Sequence, residues 1–141
     1  MRCETWGVRF MVEACVSRDV VEGILAYSRH MHPKEAILVL RGKVDFKKGR
    51  IDILELVIPP RATQAVGFSA FPLQPLPLDM SVVGVAHSHP SGIQEPSVAD
   101  LNNFYGGVMA ICSYPYEDAG DISIYDGKGR KIPFRVRERQ E

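Results

Sequence analysis

The 141-residue chain lacks an excess of charge of either sign: Lys plus Arg number 17, and so do Asp plus Glu. That balance gives no reason to expect nucleic acid or an acidic membrane as a partner. It lacks any apolar run approaching the ~18 residues that cross a bilayer, and Met1 to Phe10 has no basic region leading into an apolar stretch. The cytoplasm, with no membrane, is the expected location. Cysteine is scarce and odd in number. Cys3, Cys15 and Cys112 lie far apart, and no Cys-x-x-Cys pair occurs. Buried or free thiols are therefore expected rather than a disulfide framework or a thiolate metal site, with one bridge left open for a hyperthermophilic source. Internal repeats, linkers and low-complexity tracts are also missing, so residues 1–141 read as a single domain.

Hydrophobic residues make up 45% and charged residues 24%, ordinary values for a soluble globular chain. A chain of this length can bury about 68% of its unfolded surface. Val8 to Ala14 is a first strand candidate. Ser17 stands as an N-cap before Val20, Val21, Ile24, Leu25 and Met31 at helical spacing, and Pro33 forbids helix much beyond Met31. Ala36 to Leu40 reads as a central covered strand, with Ile51 to Ile58 returning after a turn at Lys47-Lys48-Gly49. Ser81 to His87 is a second buried strand. A polar loop with Gly92 and Pro96 follows, then a helix from Ser97 to about Tyr105. Val108 to Ser113, Asp121 to Tyr125 and, after an Asp126-Gly127-Lys128-Gly129 turn, Lys131 to Val136 complete the strands. The expectation is an α/β fold, a mixed sheet flanked by at least two helices. The basic tail from Lys128 to Arg139 reads as a solvated edge strand guarded by charge rather than as an anion site.

The chemistry concentrates between His87 and Asp100. Residues two apart on a strand face the same way, with Cα atoms ~6.6 Å apart, so His87 and His89 can converge on one ion. Pro90 keeps His89 extended. If Ser97 caps the next helix, Asp100 is its third residue, and helical side chains tilt back toward the N-terminus and hence toward the histidines. Two imidazoles, a carboxylate and an open fourth position describe a catalytic zinc site. Ser97 and Asp100 equally fit a plain capping pattern. His30-Met31-His32-Pro33 has the same His-x-His-Pro spelling. At a helix end, however, residues two apart point ~200° around the axis, and these two are expected to face the C-terminal dipole instead. Glu35 heads a central strand after a proline turn. It is the best-placed carboxylate for proton transfer, though a charged residue there could instead answer an arginine.

With these residues assembled, the chain resembles the JAMM (MPN-plus) metalloprotease family. Its motif is a Glu well upstream, then His-Ser/Thr-His-Pro, six residues, Ser, two residues and Asp. Glu35, His87-Ser88-His89-Pro90, Ser97 and Asp100 match that spacing without departure. The likeness covers roughly Val8 to Tyr125 and points to a compact prokaryotic, archaeal-type member with a cytidine-deaminase-like fold. It implies one Zn2+ per chain on His87, His89 and Asp100, Glu35 as general acid/base, and Ser97 as a donor to the oxyanion.

Family enzymes of the ubiquitin systems cleave isopeptide bonds after the C-terminal tail of a ubiquitin-like modifier. With 41 residues after Asp100, this chain has little room for insertions, and a ubiquitin-like or sulfur-carrier protein is the expected partner of a monomer or homodimer. An extended tail suits strand addition at a sheet edge, for which Val66 to Phe71 is the candidate, with Val66, Phe68 and Phe71 as contacts or else an ordinary loop. Three rivals stay open: a zinc hydrolase of a sulfur-carrier–amino-acid adduct or small amide, a non-hydrolytic zinc-containing binding module, and a DNA-repair-associated relative. Barrel hydrolases with His-x-His need ~250 residues and are excluded by length.

Overall fold

In the computed structural model, which describes residues 11–59, 81–102, 104 and 106–139, the chain's first helix begins where a hydroxyl can replace a missing backbone partner. Ser17 accepts the Val20 N–H at 3.4 Å, and α1 runs Arg18–Met31 with Val20, Val21, Ile24, Leu25 and Ser28 on its buried stripe. It ends at Met31 because Pro33 holds His32 in an extended conformation, φ −52° and ψ 136°. The strand before it, β1, is Glu13–Ser17, not Val8 to Ala14. Val8 to Phe10 lie outside the described residues, and Met11 and Val12 precede the strand. Its bounds follow from pairing with residues 50–53 and 134–137, which local composition does not encode.

The remaining strands are β2 (Ile37–Asp45), β3 (Arg50–Val57), β4 (Val82–His89), β5 (Val108–Ser113), β6 (Ile122–Asp126), β7 (Lys131–Ile132) and β8 (Phe134–Arg137). They form one mixed sheet in the order β7-β6-β5-β4-β2-β3-β1-β8. β4 pairs parallel with β5 and β1 parallel with β3 and β8; the other pairs are antiparallel. The expected last strand, Lys131 to Val136, is two strands. Pro133 has no N–H to continue a ladder, so β7 pairs with β6 while β8 pairs with β1 at the opposite end of the order. Only Pro133 separates these two edges, so the sheet curls until they nearly meet, and the Pro133 carbonyl accepts the Ala14 N–H at 3.0 Å. The basic tail answers acidic side chains: Arg139 reaches Asp19 at 2.6 Å and Glu22 at 3.1 Å, while Glu138 holds Arg18 at 2.7 Å. Such solvent-exposed pairs contribute little to stability.

The second helix, α2, is Val98–Asn102 rather than Ser97 to about Tyr105. Phe104 turns back to donate its N–H to the Leu101 carbonyl at 3.3 Å, and its ring packs on Val85, Met109, Ile111 and Tyr125. Gly106, at φ +90° and pressed against the Val83–Gly84 backbone, then leads into β5. The larger core lies under α1, with Val21, Ile24, Leu40, Ile51 and Ile53 among its members. The smaller cluster containing Val85, Met109, Ile111 and Tyr125 occupies the other face. By two-residue alternation His87 and His89 share that face with Val85. Cys15 and Cys112 are free and buried, and burial pushes the Cys112 thiol up to about 11. Cys3, the Val66 to Phe71 edge and the Pro-rich stretch lie outside the described residues. Among the described residues no helix is long and apolar enough to cross a membrane.

β4 approaches β5 so closely that a Cβ on Gly84 would lie 2.1 Å from the Val108 carbonyl oxygen. That neighbour is backbone and cannot swing away. Gly84→Ala is expected to cost on the order of 2–4 kcal/mol in urea denaturation of metal-free protein, and a loss under about 0.5 kcal/mol would contradict this close approach.

Candidate metal centre

Antiparallel pairing of β2 with β4 sets Ile37 opposite His87. Continuing that register by two residues brings Glu35 opposite His89. Backbone and side chain lock this end of the pair: the Ser88 N–H donates to the Ala36 carbonyl at 3.0 Å, and the Ser88 hydroxyl accepts the Ala36 N–H at 2.7 Å. Ser88 thus explains why a small hydroxyl residue stands between two histidines, a role its place in the motif did not reveal.

Asp100 arrives from the other side. Its N–H donates to the Ser97 hydroxyl at 3.0 Å, and its Oδ2 accepts the Ser97 N–H at 2.8 Å. This is a reciprocal capping box, worth about 0.5–2 kcal/mol. The same Oδ2 lies 3.0 Å from Nε2 of His89. Capping and a place beside His89 are therefore not rivals, because the cap is what aims the carboxylate at the imidazole.

One ligand atom each of Glu35, His89 and Asp100 lies within 4.8 Å of the others, with Glu35 Oε2 3.8 Å from His89 Nε2. His87 is not part of that trio, although its buried ring feels both the Asp100 charge and His89. Neither His30 nor His32 joins that trio. The His32 backbone N–H caps the Ser28 carbonyl at 3.0 Å, but its ring does not face the helix end as expected: it stacks on Tyr114 at 4.9 Å, and its Nδ1 lies 2.9 Å from the Tyr116 hydroxyl.

The charges explain what this cluster wants. Nδ1 of His89 donates to the Ile93 carbonyl at 2.9 Å, which leaves Nε2 facing the Asp100 oxygen. A neutral ring would then set a lone pair against a carboxylate, so either a second proton or a cation must sit between them. The Asp100 hydrogen bond accordingly raises the His89 pKa against the opposing effect of burial. Burial acts to raise the Asp100 carboxyl. The His89 and Ser97 hydrogen bonds and the two imidazoles overcome it and bring that group down to about 2. Burial lowers His87 to about 4, keeping it as the neutral imidazole that metals require. Glu35 is raised, first by burial and then by the Asp100 charge, as suits a proton carrier. Imidazole nitrogen and carboxylate oxygen donors gathered around one missing positive charge fit a divalent ion of the zinc type.

Beside the trio opens a cavity of about 490 Å³ lined by Pro33, Glu35, His89, Ile93, Pro96 and Ser97, among others. Gln94, Ser123 and Tyr125, which the sequence did not single out, hold the loop at its rim. Nothing in their spacing marks them, because the contacts join a loop to a strand 29 and 31 residues away.

Residues 17–125 match the family described as prokaryotic homologs of the JAB domain. A probable metalloprotease of Haloferax volcanii is 34% identical over 120 residues, covering 81% of this chain and 73% of that protein. Among solved structures, a JAB1/MPN domain protein from Archaeoglobus fulgidus shares 32% identity at TM-score 0.64, covering 86% of this chain and 96% of its own. Another, described as JAMM, a metalloprotease-like zinc site in the proteasome and signalosome, shares 29% identity at TM-score 0.63 over 92% and 99% of the two chains.

The purified protein is expected to retain one divalent ion per chain in elemental analysis. His87→Ala, His89→Ala and Asp100→Asn should each lose it; the last retains a side-chain oxygen for the cap. A His89→Ala protein with full metal content would contradict the assignment.

Proposed function

Because the chain belongs to the prokaryotic JAB-domain, JAMM-type metalloprotease family, we propose that it is a zinc-dependent isopeptidase or peptidase. It cleaves after the C-terminal tail of a ubiquitin-like modifier or sulfur-carrier protein. The observation that carries this reading is Glu35 at 3.8 Å from His89, beside Asp100 and at the wall of an open cavity.

In this reading His87, His89 and Asp100 hold the ion. Bound there, Zn2+ supplies Lewis acidity, polarising a carbonyl and acidifying water. Glu35 takes the proton from the attacking water as its oxygen adds to the scissile carbonyl carbon. When the C–N bond breaks, Glu35 passes that proton to the departing amine. The Ser97 hydroxyl accepts from the Asp100 N–H, so its own proton stays free to donate to the oxyanion. Pro33, Pro90, Pro96 and Ile93 give the cavity apolar walls, which suits a narrow tail of small residues entering in extended form. Val66, Phe68 and Phe71 remain the candidate edge for that tail. A sulfur-carrier–amino-acid adduct or small amide is the alternative substrate.

Glu35→Gln should keep its metal and lose about 10²–10⁴ in kcat on a ubiquitin-like-modifier conjugate. Chelation of the wild type should stop cleavage and added zinc restore it. Cleavage that survives complete zinc removal would rule the proposal out.

A further inference from the structure

We propose that Gln94 is a positioning residue for His89, holding the imidazole in the orientation that presents Nε2 to the metal; this rests on the zinc reading above. The loop after β4 carries the carbonyl of Ile93, which takes the Nδ1 proton of His89 at 2.9 Å. That carbonyl belongs to the Ile93–Gln94 peptide bond, a rigid plane that includes the Cα of Gln94. Whatever fixes Gln94 therefore fixes the acceptor that chooses the tautomer and tilt of the ring.

Gln94 is held at three points. Its Oε1 accepts from the Ser123 hydroxyl at 3.0 Å, its Nε2 donates to the Gly120 carbonyl at 3.3 Å, and its own carbonyl accepts from the Tyr125 hydroxyl at 2.7 Å. Ser123 and Tyr125 are buried and two residues apart on β6, so both look out of the same sheet face. Register makes it the face of the histidines: Ile111 stands opposite Ser123 on one side and beside His87 on the other. The amide uses both a donor and an acceptor, which neither Glu nor Leu could reproduce. A rigid strand thus reaches over β5 to grip the loop, and the loop grips the ligand. Partners that orient a metal-bound histidine through its second nitrogen typically change metal affinity by 10–100-fold when removed.

The test compares wild type, Gln94→Ala and Tyr125→Phe. Zn2+ affinity is read by competition with a chromophoric chelator, the visible bands of the Co2+-substituted proteins are recorded, and metal-free stability is followed in urea. Gln94→Ala should bind Zn2+ about 10–100-fold more weakly and show altered Co2+ bands, and Tyr125→Phe should weaken binding about 2–10-fold. If both variants lose stability yet keep wild-type affinity and bands, the residues merely brace the loop and the proposal fails. A wild type without Zn2+ affinity overturns the zinc reading itself, whereas a tight-binding wild type matched by both variants overturns the role of Gln94 alone.

Discussion

The pairing of Ala36 with Ser88 is the constraint on which the rest of the centre depends. It fixes the antiparallel register of β2 and β4 at the end where the sheet opens to the cavity. A slip of one residue would send Glu35 to the other face of the sheet. Because Gly84 lets β4 press against β5, the strand bearing the histidines is clasped from both sides and can hold imidazoles with little freedom. Everything at the site is referred to that strand: Glu35 across the register, Asp100 through the capping box, and the Ile93 carbonyl through the loop that follows.

What this scaffold produces is a local electrostatic conflict. His89 Nε2 meets Asp100 at 3.0 Å and Glu35 at 3.8 Å, with the opposite edge of the ring already committed to a carbonyl. Without a metal, a proton must mediate; a divalent ion resolves the conflict more completely, because it can satisfy nitrogen and oxygen lone pairs together. The raised Glu35 carboxyl and the depressed Asp100 carboxyl also separate two acids by function. Asp100 stays ionised, while burial and the Asp100 charge push the Glu35 carboxyl up, the direction that favours holding a proton.

Much of this was legible from residues alone, where local chemistry dictates the outcome. Ser17 and Pro33 bound α1 as expected, and the apolar runs Ala36 to Leu40 and Ser81 to His87 fall on the two central strands, although β2 runs on to Asp45 and β4 to His89. The two identical spellings do fall in the different settings their contexts predicted, His87 and His89 at the end of a strand and His30 and His32 at the end of α1. Less legible was whatever depends on a distant partner. The last strand is divided because Pro133 lets its halves join opposite edges, and no window of sequence contains both β6 and β1. The short α2 reflects Phe104 turning into a cluster whose other members come from three strands. Gln94 looked like one more polar loop residue because its three partners lie on a strand and turn that follow much later in the chain.

The central claim, that His87, His89 and Asp100 share an ion while Glu35 faces it unbound, is tested most directly by anomalous diffraction at the zinc edge from crystals of the zinc-loaded protein. The account predicts one peak, within bonding distance of both imidazoles and Asp100, with the Glu35 carboxylate outside that distance. A peak bonded to Glu35 in place of His87, or one lying away from β4, would contradict it.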